Sequence, residues 1–377
     1  MKRLAILSTH PIQYNAPLFR MIAAEPDMVL KVFYSKITKE VRFDKDFGQV
    51  VTWDIPLTEG YDHASYEAST KAGLTDMLGA MDGFRPDAVL VFGWNFPGHF
   101  ATMRHFKGRV PVWFRGDSTL LDPMPFWKRW VRRAWLNYVC WHIDKAFYVG
   151  QANLRYFRWC GLQESQLVYA PHAVDNDFFM ANDAERTATA LEIRKKLGIS
   201  KTAVVFLFVG KLEAKKQPLE LAQAFLDTVQ ENPEKDAHLV VIGSGALEGE
   251  LNAKSLDSQC IHLVGFKNQS EMPIWYRVGD VLCLPSRGPS ETWGLAVNEA
   301  MACGCRAIVS DRVGCAEDLA KPGIENFMVA FDQVLSWKFA MESVHASQKN
   351  RLKPIAVIGD FTIEKFVVSI KQSLYHA

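Results

Sequence analysis

Glu291 and Glu299 stand with seven residues between them in the stretch 284–305, LPSRGPSETWGLAVNEAMACGC. Glu291 lies in a polar loop punctuated by Gly and Pro. Glu299 falls inside a helix-spaced segment from Gly294 to Cys303, which Gly304 closes as a C-cap. An apolar run, Asp280 to Leu284, precedes the loop as a buried strand. A strand, a loop and a helix in that order aim free N–H groups and the positive helix end at an anion, usually a phosphate. Two carboxylates beside such a site do not bind phosphate; they accept hydrogen bonds from hydroxyls, such as those of a ribose or hexose attached to it. The competing reading makes Glu299 a solvated acid on the helix surface and Glu291 an ordinary loop charge. A second pair, Lys211 and Lys216, follows the apolar run Val204 to Val209. Two cations five positions apart at a strand end have the charge to neutralise a diphosphate without a metal ion; the alternative is a solvated basic turn. Asp44-Lys45-Asp46 has the Asp-x-Asp form that holds a divalent cation. No buried strand leads into it, and the metal reading is set aside, as it is for Asp175 and Asp177.

These side chains need strands to bring them together. Leu4–Leu7, Val29–Tyr34, Ala88–Phe92, Val110–Phe114, Ala146–Gly150 and Leu167–Ala170 read as buried strands. So do Val204–Val209, Leu239–Ile242, Ile261–Gly265 and the run ending at Leu284. The run 204–209 is apolar throughout and β-branched in part, as suits a central parallel strand. Polar loops follow several of them: Ser8 to Tyr14 after the first, Gly93 to Phe96 after the third, and Arg115 to Ser118 after the fourth. A loop at the carboxyl end of a parallel strand is a favoured ligand position in open α/β sheets. Within these loops His10, Gln13, Tyr14, Trp94, Asn95, Arg115 and Asp117 are candidate ligand contacts. For His10 and Tyr14 the equal alternative is that they brace their loop. Arg115 has the bidentate geometry for an acidic or phosphorylated group.

The chain has 377 residues, so two domains are the natural expectation. Hydrophobic content of 49% with 23% charged residues describes a globular protein, and a net charge of +1 argues against a nucleic-acid binder. Seven cysteines without paired CxxC spacing fit reduced thiols in a cytoplasmic setting. The start, MKRLAILSTH, is too short in apolar residues for a signal peptide or a span. Residues 126–141, FWKRWVRRAWLNYVCW, read as an amphipathic helix. Its apolar positions 126, 127, 130, 131, 134, 135 and 138 are expected to pack on the sheet, with Lys128, Arg129, Arg132 and Arg133 outward. The second reading is contact with an anionic membrane surface.

The stretch SETWGLAVNEAMACG resembles the Glu-x7-Glu signature of retaining glycosyltransferases of family 4, and AIVSDRVGCAEDL resembles that family's next strand and loop. THPIQYNAPLFR resembles a subset of the family that carries HPIQY after the first strand. Pro171 to Asp175 partly matches the family's interdomain turn, with His172 and Ala173 replacing Asn and Gly. Lys211 stands where arginine is usual, Lys216 matches the usual lysine, and Arg115 stands where many members have histidine. The resemblance implies the GT-B fold: an α/β protein of two Rossmann-like domains with parallel sheets facing a central cleft. It places an acceptor-side domain at 1–172, joined by a return helix in 360–377, and a nucleotide-sugar donor domain at 173–359. It implies a metal-independent enzyme moving a hexose from a UDP- or GDP-linked donor to a saccharide or lipid-linked saccharide, with the nucleotide sugar as co-substrate and no separate cofactor. Lys211, Lys216 and Glu291 take the catalytic roles. Gly210, Gly243, Gly245, Gly265, Phe266, Thr292, Trp293, Gly294, Leu295 and Glu299 complete the donor site, with Glu299 on the ribose and Glu291 on the donor sugar. The expected setting is the cytoplasm or the inner face of the cell membrane. The rival readings are another nucleotide-sugar chemistry, epimerisation or hydrolysis, and a binding module without catalysis.

Overall fold

The computed structural model describes residues 1–37, 42–44, 49–51, 54–256, 258–288, 291–320, 326–346 and 356–375. Asp46 lies outside them, as does the side chain of Asp44, so the Asp-x-Asp motif falls outside the described residues. The chain divides into two compact units. The first holds Met1–Glu40, Ile55–Ala173 and Thr362–Ala377; the second holds Val41–Asp54 and Val174–Phe361.

In chain order the strands are β1 (Lys2–Ser8), β2 (Met28–Tyr34), β3 (Arg42–Asp44), β4 (Gln49–Val51), β5 (Asp62–Ser65), β6 (Ala88–Phe92), β7 (Val112–Arg115), β8 (Lys145–Tyr148), β9 (Leu167–Tyr169), β10 (Val204–Val209), β11 (Ala237–Ile242), β12 (Ile261–Leu263), β13 (Val281–Leu284), β14 (Arg306–Ser310) and β15 (Phe327–Val329). The first unit is built on a seven-stranded sheet in the order β5-β2-β1-β6-β7-β8-β9. All its strand pairs are parallel. Alternate residues of each strand feed opposite cores, as the two-residue period of a strand requires. Ala5, Leu7, Val89, Val91 and Phe114 enter one cluster, and Leu4, Ile6, Leu90 and Trp113 enter the other. The second cluster is closed by helices Ala16–Ala23 and Ile363–Tyr375, through Phe19, Ile22, Phe366 and Ile370. The last helix of the chain therefore packs on the first unit.

The second unit carries a six-stranded parallel sheet, β12-β11-β10-β13-β14-β15. Helix Pro218–Glu231 covers one face with Leu221 and Phe225 against Phe206 and Phe208. β3 and β4 form a separate antiparallel pair, in a stretch whose sequence carries no regular pattern. β10 was legible as a fully buried run because both its neighbours and both its faces are covered: only Val209 at its end is not buried. β5 was not legible, since Asp62-His63-Ala64-Ser65 is an edge strand with a mostly exposed, polar pattern.

The helix Phe126–Cys140 forms where its spacing predicts it, but its orientation overturns the packing expectation. Its buried residues are Leu136, Val139 and Cys140, a narrow stripe at i, i+3, i+4 near its C-terminal end. The wide aromatic face points outward instead.

Candidate functional site

In the six-stranded sheet the chain runs from β10 outward through β11 to β12, then returns to place β13 on the other side of β10. The carboxyl ends of β10 and β13 flank that reversal, the point where open parallel sheets leave a crevice for ligands. Lys211 and Lys216 follow β10, and Ser286 to Leu295 follow β13. Main-chain bonds tie these loops together. Gly210 N donates to Ile242 O at 3.0 Å, Gly243 N to Gly265 O at 2.9 Å, Leu212 N to Ser244 O at 3.0 Å and Arg287 N to Lys215 O at 3.0 Å. Gly243 is required by this closeness: a Cβ there would meet Gly210 O at 1.9 Å, at a φ of 142°. The sequence-predicted set Gly210, Lys211, Lys216, Gly243, Gly245 and Gly265 is thus gathered on neighbouring strand ends.

The Lys216 ammonium bonds directly to the Glu291 carboxylate, which also accepts from Ser286 Oγ at 3.0 Å. Both charged side chains are mostly buried, at 18% and 14% exposure. Burial of an ion pair is tolerated only where the geometry and further hydrogen bonds compensate desolvation. The loop carrying Glu291 is braced from behind: Gly314 N donates to Glu291 O at 3.1 Å and Cys315 N to Trp293 O at 3.0 Å. Gly294 caps the helix Leu295–Ala302 with φ 93°, and Leu284, Val313 and Cys315 fill the space a side chain would need. Trp293 is buried and donates Nε1–H to Asn298 Oδ1 at 2.8 Å, an arrangement that fixes the first helical turn. Thr292, Leu295 and Phe266 are half-buried.

Glu299 is not a solvated surface acid; it is 3% exposed. Tyr276, itself buried in helix Met272–Val278, donates its hydroxyl to Glu299 Oε2 at 2.6 Å, and Gln269 Nε2 approaches Oε1 at 3.4 Å. Neither partner is signalled by the sequence around Glu299, because both lie more than twenty residues away and the pairing is set by helix packing. Asp175 has an ordinary role: it caps helix Asn176–Met180 by accepting from Phe178 N at 3.0 Å.

The seven-stranded sheet has the same reversal, between β1 and β6. His10, Gln13 and Tyr14 follow β1, Trp94 and Asn95 follow β6, and Arg115 and Asp117 end or follow β7, so all seven lie at the carboxyl ends of three adjacent strands. His10 Nδ1 is 2.9 Å from Thr9 Oγ1. Arg115 is buried, and its guanidinium donates to Ala170 O at 2.6 Å and Pro171 O at 3.2 Å while stacking over Phe366 at 4.0 Å. Asp117 approaches His172 Nε2 at 4.0 Å. Burial, reinforced by the Arg115 cation, holds the His172 imidazole down to about 4 and therefore neutral near pH 7, against the opposing pull of Asp117.

Sequence reasoning missed His99. It is fully buried at the start of helix His99–Phe106, with Nδ1 2.9 Å from Gly93 O and Nε2 2.9 Å from Ser35 Oγ. A carbonyl only accepts, so Nδ1 carries the proton and Nε2 accepts from the Ser35 hydroxyl. Burial lowers its pKa to about 4, outweighing the carbonyl contacts that favour the cation. It pins the loop that carries Trp94 and Asn95.

Comparison with known proteins agrees with this layout. Residues 190–356 match the family described as glycosyl transferases group 1. A D-inositol 3-phosphate glycosyltransferase 2 of Catenulispora acidiphila is 32% identical over 167 residues, 42% of this chain and 37% of the relative. A D-inositol 3-phosphate glycosyltransferase of Thermomonospora curvata is 29% identical over 166 residues, 41% of this chain and 38% of the relative. The chain thus spans less than two fifths of the length of these curated relatives. Over its whole length it superimposes on Anabaena HepE in complex with UDP and glucose, with a TM-score of 0.68, 12% identity and 100% of each chain covered. The fold is accordingly GT-B, two Rossmann-like domains on parallel sheets, and the half that matches the glycosyl transferase family by sequence is the half that holds Lys211, Lys216, Glu291 and Glu299.

Proposed function

We propose that the protein is a retaining glycosyltransferase that moves a hexose from a UDP- or GDP-linked sugar to a saccharide or lipid-linked saccharide, without a metal ion or separate cofactor. The observation that carries this reading is the Lys216–Glu291 pair at the β10/β13 reversal, with the buried Glu299 on the helix that follows. The second unit acts as the donor domain and the first as the acceptor domain. Lys211, Lys216 and the N–H groups beside Gly294 and Leu295 stabilise charge on the departing diphosphate. Binding of the diphosphate draws Lys216 onto phosphate oxygens and releases the Glu291 carboxylate to accept from donor-sugar hydroxyls. Glu299, held by Tyr276, receives the ribose hydroxyls. The loops bearing His10, Gln13, Tyr14, Trp94, Asn95 and Asp117 meet the acceptor, and Arg115 shapes their base. The names of the relatives and of the UDP-bound neighbour support a nucleotide-sugar donor. The work takes place in the cytoplasm or at the inner face of the cell membrane.

Calorimetric titration with UDP, GDP and ADP in EDTA tests the reading. Tight binding of one nucleotide is expected, and acceptor-dependent consumption of its sugar conjugate separates transfer from hydrolysis, epimerisation or mere binding. Failure of all three nucleotides to bind, or binding only after a divalent metal is restored, would count against it.

A further inference from the structure

The helix Phe126–Cys140 with Trp141 after it turns its most apolar side to solvent. Phe126, Trp127, Trp130, Val131, Tyr138 and Trp141 are each between 46% and 75% exposed. At 100° per residue these six positions fall within an arc of roughly 140°, opposite the arc of Leu136, Val139 and Cys140 that faces the domain. Monomeric proteins seldom leave so large a contiguous aromatic surface bare without a partner for it. The charge around it is equally one-sided. Residues 126–141 hold four cations and no acid, while the whole chain has a net charge of +1. Lys128 and Arg133 sit at the two edges of the aromatic arc and lean over its rings, Lys128 at 5.4 Å from Trp127 and Arg133 at 5.5 Å from Trp130. Arg129 and Arg132 lie nearer the domain, over Trp159 and Tyr156.

We propose that this helix is a docking surface for an anionic phospholipid bilayer, lying in the plane of the interface with its aromatic arc among the acyl chains and glycerol groups. Trp and Tyr favour that depth because an apolar ring and a polar N–H or O–H are both satisfied there. Lys128 and Arg133 reach sideways to lipid phosphates, the disposition of cations that border an interfacial helix. No helix among the described residues is long and apolar enough to cross a membrane, so this contact is with one leaflet. A second copy of the chain is a poorer occupant, since self-pairing of this face brings four cations against four with no acid between 126 and 141 to offset them. The inner edge of the same helix touches the loop after β6: the rings of Trp135 and Trp94 are 6.3 Å apart. Resting on the acceptor role proposed for Trp94, docking brings that loop to the lipid surface, where a lipid-linked saccharide presents its sugar.

Flotation of the full chain with vesicles of phosphatidylcholine alone, or with about a third of the lipid as phosphatidylglycerol, tests the proposal. Binding at least tenfold stronger to the anionic vesicles is expected, falling several-fold as salt rises from 0.05 to 0.5 M. The double variant Trp127→Ser/Val131→Ser should lose about tenfold on both vesicle types. Lys128→Ala/Arg133→Ala should lose only the anionic preference. Both variants should melt as the wild type does and bind nucleotide unchanged, which separates failure of docking from failure of the glycosyltransferase reading. Absence of flotation with anionic vesicles, equal flotation of wild type and Trp127→Ser/Val131→Ser, or a dimer that this variant dissociates without any vesicle binding would overturn it.

Discussion

The two sheets share a topology but hold their loops differently. At the carboxyl ends of β10, β11 and β13 the loops are joined largely main chain to main chain, through Gly210, Leu212, Gly243 and Arg287. At the ends of β1, β6 and β7 main-chain bonds such as Gly93 N to Arg115 O are supplemented by buried side chains from far along the sequence. His99 reaches Ser35 and Gly93, Arg115 reaches residues 170 and 171, and Asn153 reaches Ser118 O at 2.8 Å. Backbone-to-backbone closure needs particular residues at particular places, glycines above all, and so leaves a spelling in the sequence. Closure by side chains can be achieved in many ways and leaves none. The first arrangement suits a site that grips the constant part of a ligand, the second a site whose shape is free to vary.

The sharpest test of the main-chain closure is Gly243→Ala. Its methyl group would collide with Gly210 O, and the loops after β10 and β11 would have to separate. A loss of roughly 4 kcal/mol in denaturant stability, or of the same free energy in nucleotide affinity, is expected. A variant as stable as wild type that binds nucleotide equally well would show that the closure is dispensable.

The side-chain closure should break with acid. The pKa of His99 stands near 4 in the folded protein, against the usual value near 6.5 when unfolded. The folded state therefore demands the neutral ring. Its contribution is fully present above about pH 6.5 and is lost as pH falls toward 4, for a total of about 3 kcal/mol. His172 adds in the same direction. His99→Gln keeps a donor for Gly93 O and an acceptor for Ser35 but does not titrate. Its melting temperature should fall less between pH 7 and pH 4.5 than that of wild type, and parallel curves for the two proteins would contradict the assignment.

How far the sequence could be read follows the same division. Most strands of both sheets, though not the edge strands β5 and β15, were legible along with the loop-helix unit from Ser286 to Cys303 and the grouping of Lys211, Lys216 and Glu291, because buried runs and glycine spacing are local. The burial of Glu299 was not, since Tyr276 and Gln269 reach it only after two helices pack. Nor was the orientation of helix Phe126–Cys140: periodicity reports that a helix has an apolar face, and tertiary contacts decide which side the domain covers. Here the domain fully covers only three residues near its C-terminal end.

Within the second unit the two acids should separate by kinetics. Glu291→Ala removes a group that touches the donor sugar in the proposed reaction but leaves the nucleotide pocket standing. Turnover should fall by roughly a hundredfold while nucleotide affinity changes less than about threefold. Isothermal titration and initial rates with the same donor decide it, and wild-type turnover would remove Glu291 from the mechanism.

The smallest expected effect is the most specific. Tyr276→Phe deletes only the hydroxyl that donates to Glu299 Oε2 at 2.6 Å. The carboxylate stays buried with one fewer donor, a loss on the order of 1–2 kcal/mol. If Glu299 receives ribose hydroxyls, part of that loss falls on the ribose, because an unfixed carboxylate no longer presents its oxygens to the two hydroxyls together. The affinity for the ribonucleotide should then drop by roughly three- to tenfold, while the weaker affinity for the 2′-deoxynucleotide barely changes. A purely structural hydroxyl would weaken both nucleotides equally. The ratio of the two affinities, measured in wild type and Tyr276→Phe, therefore reports whether the most deeply buried acid of the site faces the sugar of the nucleotide or only the core behind it.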